Sequence, residues 1–125
     1  MYLLDTFALV ALLSAPFRMK PEARALVLSQ IQNTYFSPAS IWEIELKISI
    51  GKLSKPTADI MDAARAQGYK DLLITAEHAT AASRLPLIHW DPFDRMLIAQ
   101  AFANGLTIVT PDSRFSEYNV PLLPC

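Results

Sequence analysis

Short apolar runs alternate along this chain with longer stretches whose apolar residues recur every three or four positions. Tyr2-Leu3-Leu4 precedes Asp5-Thr6, and Phe7, Leu9, Val10, Leu12 and Leu13 then continue to Pro16, which predicts a strand, a turn and a helix. A second helix is predicted over residues 21–32, with Pro21 in its first turn and Ala23, Leu26, Val27 and Ile31 at helical spacing, followed by the β-prone Thr34-Tyr35-Phe36. Residues 37–50 carry Ile41, Ile44 and Ile48 on one helical face, and residues 57–67 form the next helix. Leu72-Leu73-Ile74 predicts a buried strand, and Thr75 caps a helix running toward Leu85. Residues 91–104 give the clearest helix, residues 106–109 a strand, 112–117 a helical turn, and 120–123 an edge strand that tolerates Pro121.

Gly51, Gly68 and Gly105, all the glycines of the chain, fall just past predicted helix ends, where a left-handed residue is wanted. None is left for a phosphate-binding loop or a glycine-rich dinucleotide fingerprint. The alternation of strands and helices predicts an α/β fold, a three-layer α/β/α sandwich with a mainly parallel central sheet. At 125 residues with 52% hydrophobic content, one domain over residues 1–125 is expected, without internal repeats.

A net charge of −1 and a pI near 6.1 argue against a broad basic surface for gripping nucleic acid, so a phosphate-bearing substrate would be held locally. The lone cysteine, Cys125, excludes an internal disulfide framework and a Cys-rich zinc site, and a reducing cytoplasm fits best. The apolar segment 7–15 is too short to cross a bilayer, and no membrane association is expected.

The candidate chemistry lies in the acids. Asp5 and Asp112 each follow a predicted strand, and ligands in open α/β sheets gather beyond the carboxyl ends of strands. Asp94 shares a helical face with Leu97, Ile98 and Ala101 and so points inward, while Asp91 reads as the N-cap of its helix. Glu43 lies on a helix whose apolar stripe turns it toward the same end of the sheet; its simplest alternative is an exposed ion pair with Lys47, four residues on. Glu45 faces the other way, toward solvent. Carboxylates gathered in one cleft raise one another's pKa values and call for a counter-charge, for which a divalent cation is the natural candidate. His89, with no second His at ligand spacing, reads as a packed or capping residue rather than a ligand.

Four blocks carry a family resemblance: Leu3-Leu4-Asp5-Thr6; Ser40-Ile41-Trp42-Glu43-Ile44 with Lys47 and Gly51-Lys52-Leu53; Asp91-Pro92-Phe93-Asp94-Arg95-Met96-Leu97-Ile98-Ala99-Gln100-Ala101; and Thr110-Pro111-Asp112-Ser113-Arg114-Phe115. Through them the whole chain resembles the PIN-domain nucleases, most closely the VapC-type ribonuclease toxins of bacterial toxin–antitoxin pairs. The resemblance implies that Asp5, Glu43, Asp94 and Asp112 are catalytic residues and ligands of Mg²⁺ or Mn²⁺, with an ordering hydroxyl on Thr6 or Thr110. It implies hydrolysis of an RNA phosphodiester, a homodimer, and neutralisation by a small cognate antitoxin whose tail enters the acidic groove. Hard divalent cations prefer oxygen donors, so a carboxylate set suits Mg²⁺ or Mn²⁺ better than zinc. Thr6, Thr110, Lys47 and Arg95 are the candidates for contacting substrate; Lys47, Arg95 and Arg114 have pairing with the acids as the alternative.

Two other functions fit parts of the pattern. A phosphohydrolase with Asp5 as nucleophile is weakened by Phe7, which stands where such enzymes commonly carry a second acid. A non-catalytic binding module would use the acidic groove only to hold a basic peptide.

Overall fold

Leu3 and Leu4 point to opposite faces of one strand and are both fully buried, so β1 (Tyr2–Leu4) is covered on both sides, as in a parallel sheet layered by helices. In the computed structural model, which describes residues 1–56 and 59–125, β1 lies at the centre of a five-stranded sheet. The other strands are β2 (Thr34–Phe36), β3 (Lys70–Asp71), β4 (Thr107–Thr110) and β5 (Leu122–Pro124), in the order β3-β2-β1-β4-β5. Every pairing among the described residues is parallel. The chain moves outward from β1 through β2 to β3, then returns to the other side of β1 for β4 and β5. The direction of winding therefore reverses between β1 and β4, and a crevice opens at the carboxyl ends of strands at such a switch point.

The alternation of side chains divides the core in two. Leu4, Phe36 and Val109 join Leu9 of α1 (Thr6–Ser14), Val27 of α2 (Pro21–Ser29), Ile44 of α3 (Pro38–Ser49) and Ala64 of α4 (Ile60–Gln67). On the opposite face Leu3 and Ile108 meet Leu97, Ile98 and Ala101 of α6 (Pro92–Asn104), with Phe115 and Tyr118 from the 3-10 turn Ser113–Tyr118. α5 (Ala76–Arg84) packs on α6. This is the expected three-layer sandwich.

Local signals set most boundaries. Asp5, Ser37, Asp59, Thr75, Asp91 and Asp112 each accept a backbone N–H of the following helix or turn through the side chain. All three glycines have positive φ. The fourth helix begins at Ile60, and Thr57 and Ala58, its predicted first residues, lie outside the described residues.

The buried strand expected at Leu72–Ile74 is absent; β3 is Lys70–Asp71, at the edge of the sheet. Leu72 still donates its N–H to Phe36 O at 2.8 Å, but Gln100 Nε2 takes the Leu72 carbonyl at 2.8 Å and the chain leaves the sheet there. Leu73 is consequently 68% exposed. No helix of the described residues is long and apolar enough to cross a membrane.

Gly68 ends α4 at φ 101°, and a Cβ there would lie 3.2 Å from Ile31 Cγ2. Gly68→Ala should therefore lower the unfolding free energy by about 1–2 kcal/mol in a urea titration.

Candidate metal centre

Asp5 directly follows β1, and its N–H bonds to Val109 O at 3.1 Å, tying it to the end of β4. Its Oδ1 accepts the Ala8 N–H at 2.8 Å, so Asp5 is an N-cap, yet it stands on the switch-point rim and its carboxylate also meets the Thr110 hydroxyl. Asp112 sits on the same rim, two residues beyond β4. Its N–H donates to Thr110 Oγ1 at 3.0 Å, so Thr110 links the two acids.

α3 and α6 bring in the others. Glu43 is buried, accepts a short hydrogen bond from the Thr6 hydroxyl, and pairs with Lys47 Nζ at 3.0 Å. The ion pair with Lys47 thus exists, but on a buried carboxylate facing the cleft rather than on an exposed helix surface. Asp94 enters from the first turn of α6, positioned by Asp91, whose Oδ1 accepts the Phe93 and Asp94 N–H groups at 2.9 and 3.2 Å.

The charges register one another. Burial, and then the charges of Asp91, Glu43, Asp5 and Asp112, push the Asp94 carboxyl up to about 7. Burial is also the main cause that raises Asp5 to about 6, against hydrogen bonds from Thr110 and Ala8 and with added repulsion from Glu43 and Asp112. Asp112 instead lies below the ordinary carboxylate range because Arg114 hydrogen-bonds it, with Nη2 2.8 Å from Oδ2. Among the described residues neither Asp5 nor Asp94 has a Lys or Arg ion-pair partner. The structure thus brings all four predicted acids to one rim, two paired with Lys or Arg and, among the described residues, two not.

Arg95, a candidate for contacting substrate or pairing with the acids, has no acid partner among the described residues; its guanidinium is buried and donates to the carbonyls of Ala82, Leu85, Pro86 and His89 at 2.8–3.1 Å. Ala82 lies in the last turn of α5, whose orphan carbonyls and negative dipole end welcome a cation. Lys47 and Thr6 do lie in the cleft, bound to Glu43, and an apolar hollow of about 190 Å³ between α1 and α3 adjoins them.

His89, read from the sequence as a packed or capping residue, also borders the acids. Its Nε2 lies 2.8 Å from Asp94 Oδ2, and one ligand atom each from His89, Asp94 and Asp112 come within 4.8 Å of one another. Asp5 and Glu43 stand outside that tight trio. The only sequence signal for His89 was its place five residues before Asp94, which is no helical or metal-ligand spacing. Clustered carboxylates without Cys form the donor set that hard divalent cations prefer, so the residues fit a metal site.

A parallel α/β sandwich with an acidic cleft at its switch point is an architecture suited to cation-dependent chemistry on phosphate esters. The PIN-domain family model matches residues 2–121, and the chain belongs to that family. Among solved structures it is similar to FitAcB from Neisseria gonorrhoeae, at 19% identity and TM-score 0.65 over 98% of this chain and 96% of that one. It is also similar to VapBC2 from Rickettsia felis bound to a DNA fragment from their promoter, at 18% identity and TM-score 0.68 over 98% and 97%. A toxin–antitoxin complex from Klebsiella pneumoniae matches at 15% identity and TM-score 0.68 over 98% and 96%. No curated protein matches the chain.

Raised carboxyl pKa values carry a sign. Asp5 and Asp94 hold protons in the folded state that the unfolded chain, with carboxyls at 3.8, has already lost, so the fold loses stability as pH climbs through about 4 to 7. Metal-free protein should therefore lose on the order of a few kcal/mol between pH 5 and pH 8 in chemical denaturation. Asp94→Asn should flatten much of that slope.

Proposed function

We propose that this protein is a divalent-metal-dependent endoribonuclease, the toxin of a toxin–antitoxin pair. The observation that carries the reading is the convergence of Asp5, Glu43, Asp94 and Asp112 on the switch-point rim, two of them without a Lys or Arg partner among the described residues. Membership of the PIN-domain family supports it, since PIN domains are generally nucleases that use divalent metals. The similar solved structures include one named a toxin–antitoxin complex, which supports a small antitoxin as partner. RNA as substrate and a homodimer belong to the same reading.

Asp5, Asp94 and Asp112, with Glu43 beside them, would hold Mg²⁺ or Mn²⁺. Such an ion, when bound, polarises a phosphate and makes a water more acidic. The chain's own groups do the rest. Thr6 holds the Glu43 carboxylate in place by hydrogen bonding, and Thr110 does the same for Asp5. Lys47, half-exposed beside Glu43, offers a local positive charge to the substrate backbone, in keeping with a chain that has no net positive charge. Burial raises Asp5 to about 6 and Asp94 to about 7, the range in which a carboxyl exchanges protons with water during general acid–base catalysis. Single-stranded RNA is the expected target, because unstacked bases leave the backbone accessible to a narrow cleft.

Asp5 as a phosphoryl-accepting nucleophile is less well supported, because its carboxylate already serves Ala8 and Thr110. Asp94→Asn should cut RNA cleavage with Mn²⁺ by on the order of 100- to 1000-fold, abolish growth arrest on expression, and leave circular dichroism unchanged. Undiminished cleavage by that variant would remove Asp94 from the centre and the nuclease reading with it.

A further inference from the structure

His89 is held more firmly than a loop residue needs to be. Its backbone N–H donates to Tyr118 Oη at 2.7 Å, and its carbonyl accepts from Arg95 Nη1 at 3.1 Å. Its ring packs edge-on against Phe115, with centroids 6.1 Å apart. The two clamping groups are themselves tied together: Tyr118 Oη donates to Pro86 O at 2.8 Å, and Arg95 Nη1 reaches the same carbonyl at 2.9 Å. Arg95 Nη2 anchors the assembly to the end of α5 through Ala82 O and Leu85 O. Segment 85–89 is thereby bound to two separate elements, α6 and the 3-10 turn, and among the described residues its polar side-chain contact toward the cleft is His89 Nε2 to Asp94 Oδ2.

We infer that His89 is a positioning residue of the acidic centre, that its ring fixes the Asp94 carboxylate in the orientation a cation requires, and that Arg95 and Tyr118 clamp His89 for this purpose. The physical reason is torsional. A carboxylate in a first helical turn turns about χ1 and χ2, and a hydrogen bond from a buried, immobile ring to one oxygen leaves the other aimed along a single direction. Burying the Arg95 guanidinium without an acid is costly, and the carbonyls that take both Nη groups offset that cost. An apolar residue would close the same gap but would not tether the His89 backbone.

The inference rests on the reading of the site as a cation-dependent centre, and cation affinity tests it apart from the choice of substrate. The full-length protein and its variants are titrated with MnCl₂ by calorimetry without RNA, with melting temperature as a second readout. His89→Ala should weaken Mn²⁺ binding by about tenfold or more. His89→Gln, whose amide nitrogen takes the place of Nε2 but is a poor metal ligand, should recover binding to within about threefold of the natural protein. Tyr118→Phe should weaken it in the same direction by a smaller factor, with the fold intact by circular dichroism. His89→Ala binding Mn²⁺ like the natural protein overturns the inference and leaves the proposed function standing. His89→Gln as weak as the alanine variant also overturns it, in favour of direct ligation by the imidazole. Mn²⁺ binding that obeys the expected order without any RNA cleavage defeats the ribonuclease reading and upholds the inference. Failure of the natural protein to bind Mn²⁺ overturns both.

Discussion

Mutual repulsion among carboxylates on one rim is the constraint around which this structure is arranged. The two-sided hydrophobic core forces β1 and β4 together, and their carboxyl ends deliver Asp5 and Asp112 to the same crevice. α3 and α6 then add Glu43 and Asp94. None of these positions is available to relax outward, because each acid sits at the start of an element, or on a helix, whose apolar residues are buried in the sandwich. Packing supplies the free energy that holds the acids close, and burial first, with charge repulsion added to it, raises the Asp5 and Asp94 carboxyls.

Neutral and cationic partners are divided unequally over the four acids. Lys47 serves Glu43 and Arg114 serves Asp112, both from partly or largely exposed stems. Asp5 and Asp94 receive only hydroxyl, backbone or imidazole contacts. That pair therefore holds the two carboxyls that carry no Lys or Arg, with Glu43 and Asp112 at the flanks. Thr6 and Thr110 hydrogen-bond Glu43 and Asp5, and the His89 ring meets Asp94, so contacts that carry no Lys or Arg charge also hold the acids in place.

Arg95 illustrates how a residue beside the site can matter without facing it. It follows Asp94 in the chain, but a step of one residue on a helix turns the side chain by about 100°. Arg95 consequently points to the end of α5 and the 85–89 segment, while Asp94 points to the cleft. Adjacency in a motif does not mean adjacency in space.

Much of the architecture was legible from local rules. Helix caps at Asp5, Ser37, Thr75 and Asp91, terminating glycines, and short apolar runs depend on interactions within a few residues, and these the sequence by itself determined, together with the α/β class. What it misjudged were features set by distant partners. Leu72–Ile74 looked like a buried strand because composition records hydrophobicity, whereas Gln100, twenty-eight residues away, takes the carbonyl that would have continued the ladder. His89 does pack edge-on against Phe115, as a packed residue should, but its ring also meets Asp94, a contact across the start of α6 that no helical spacing announces. Strand order, which acids pair with Lys or Arg, and how far burial raises their pKa values were decided only by the tertiary structure, because desolvation and charge repulsion depend on distances through space that chain position does not encode.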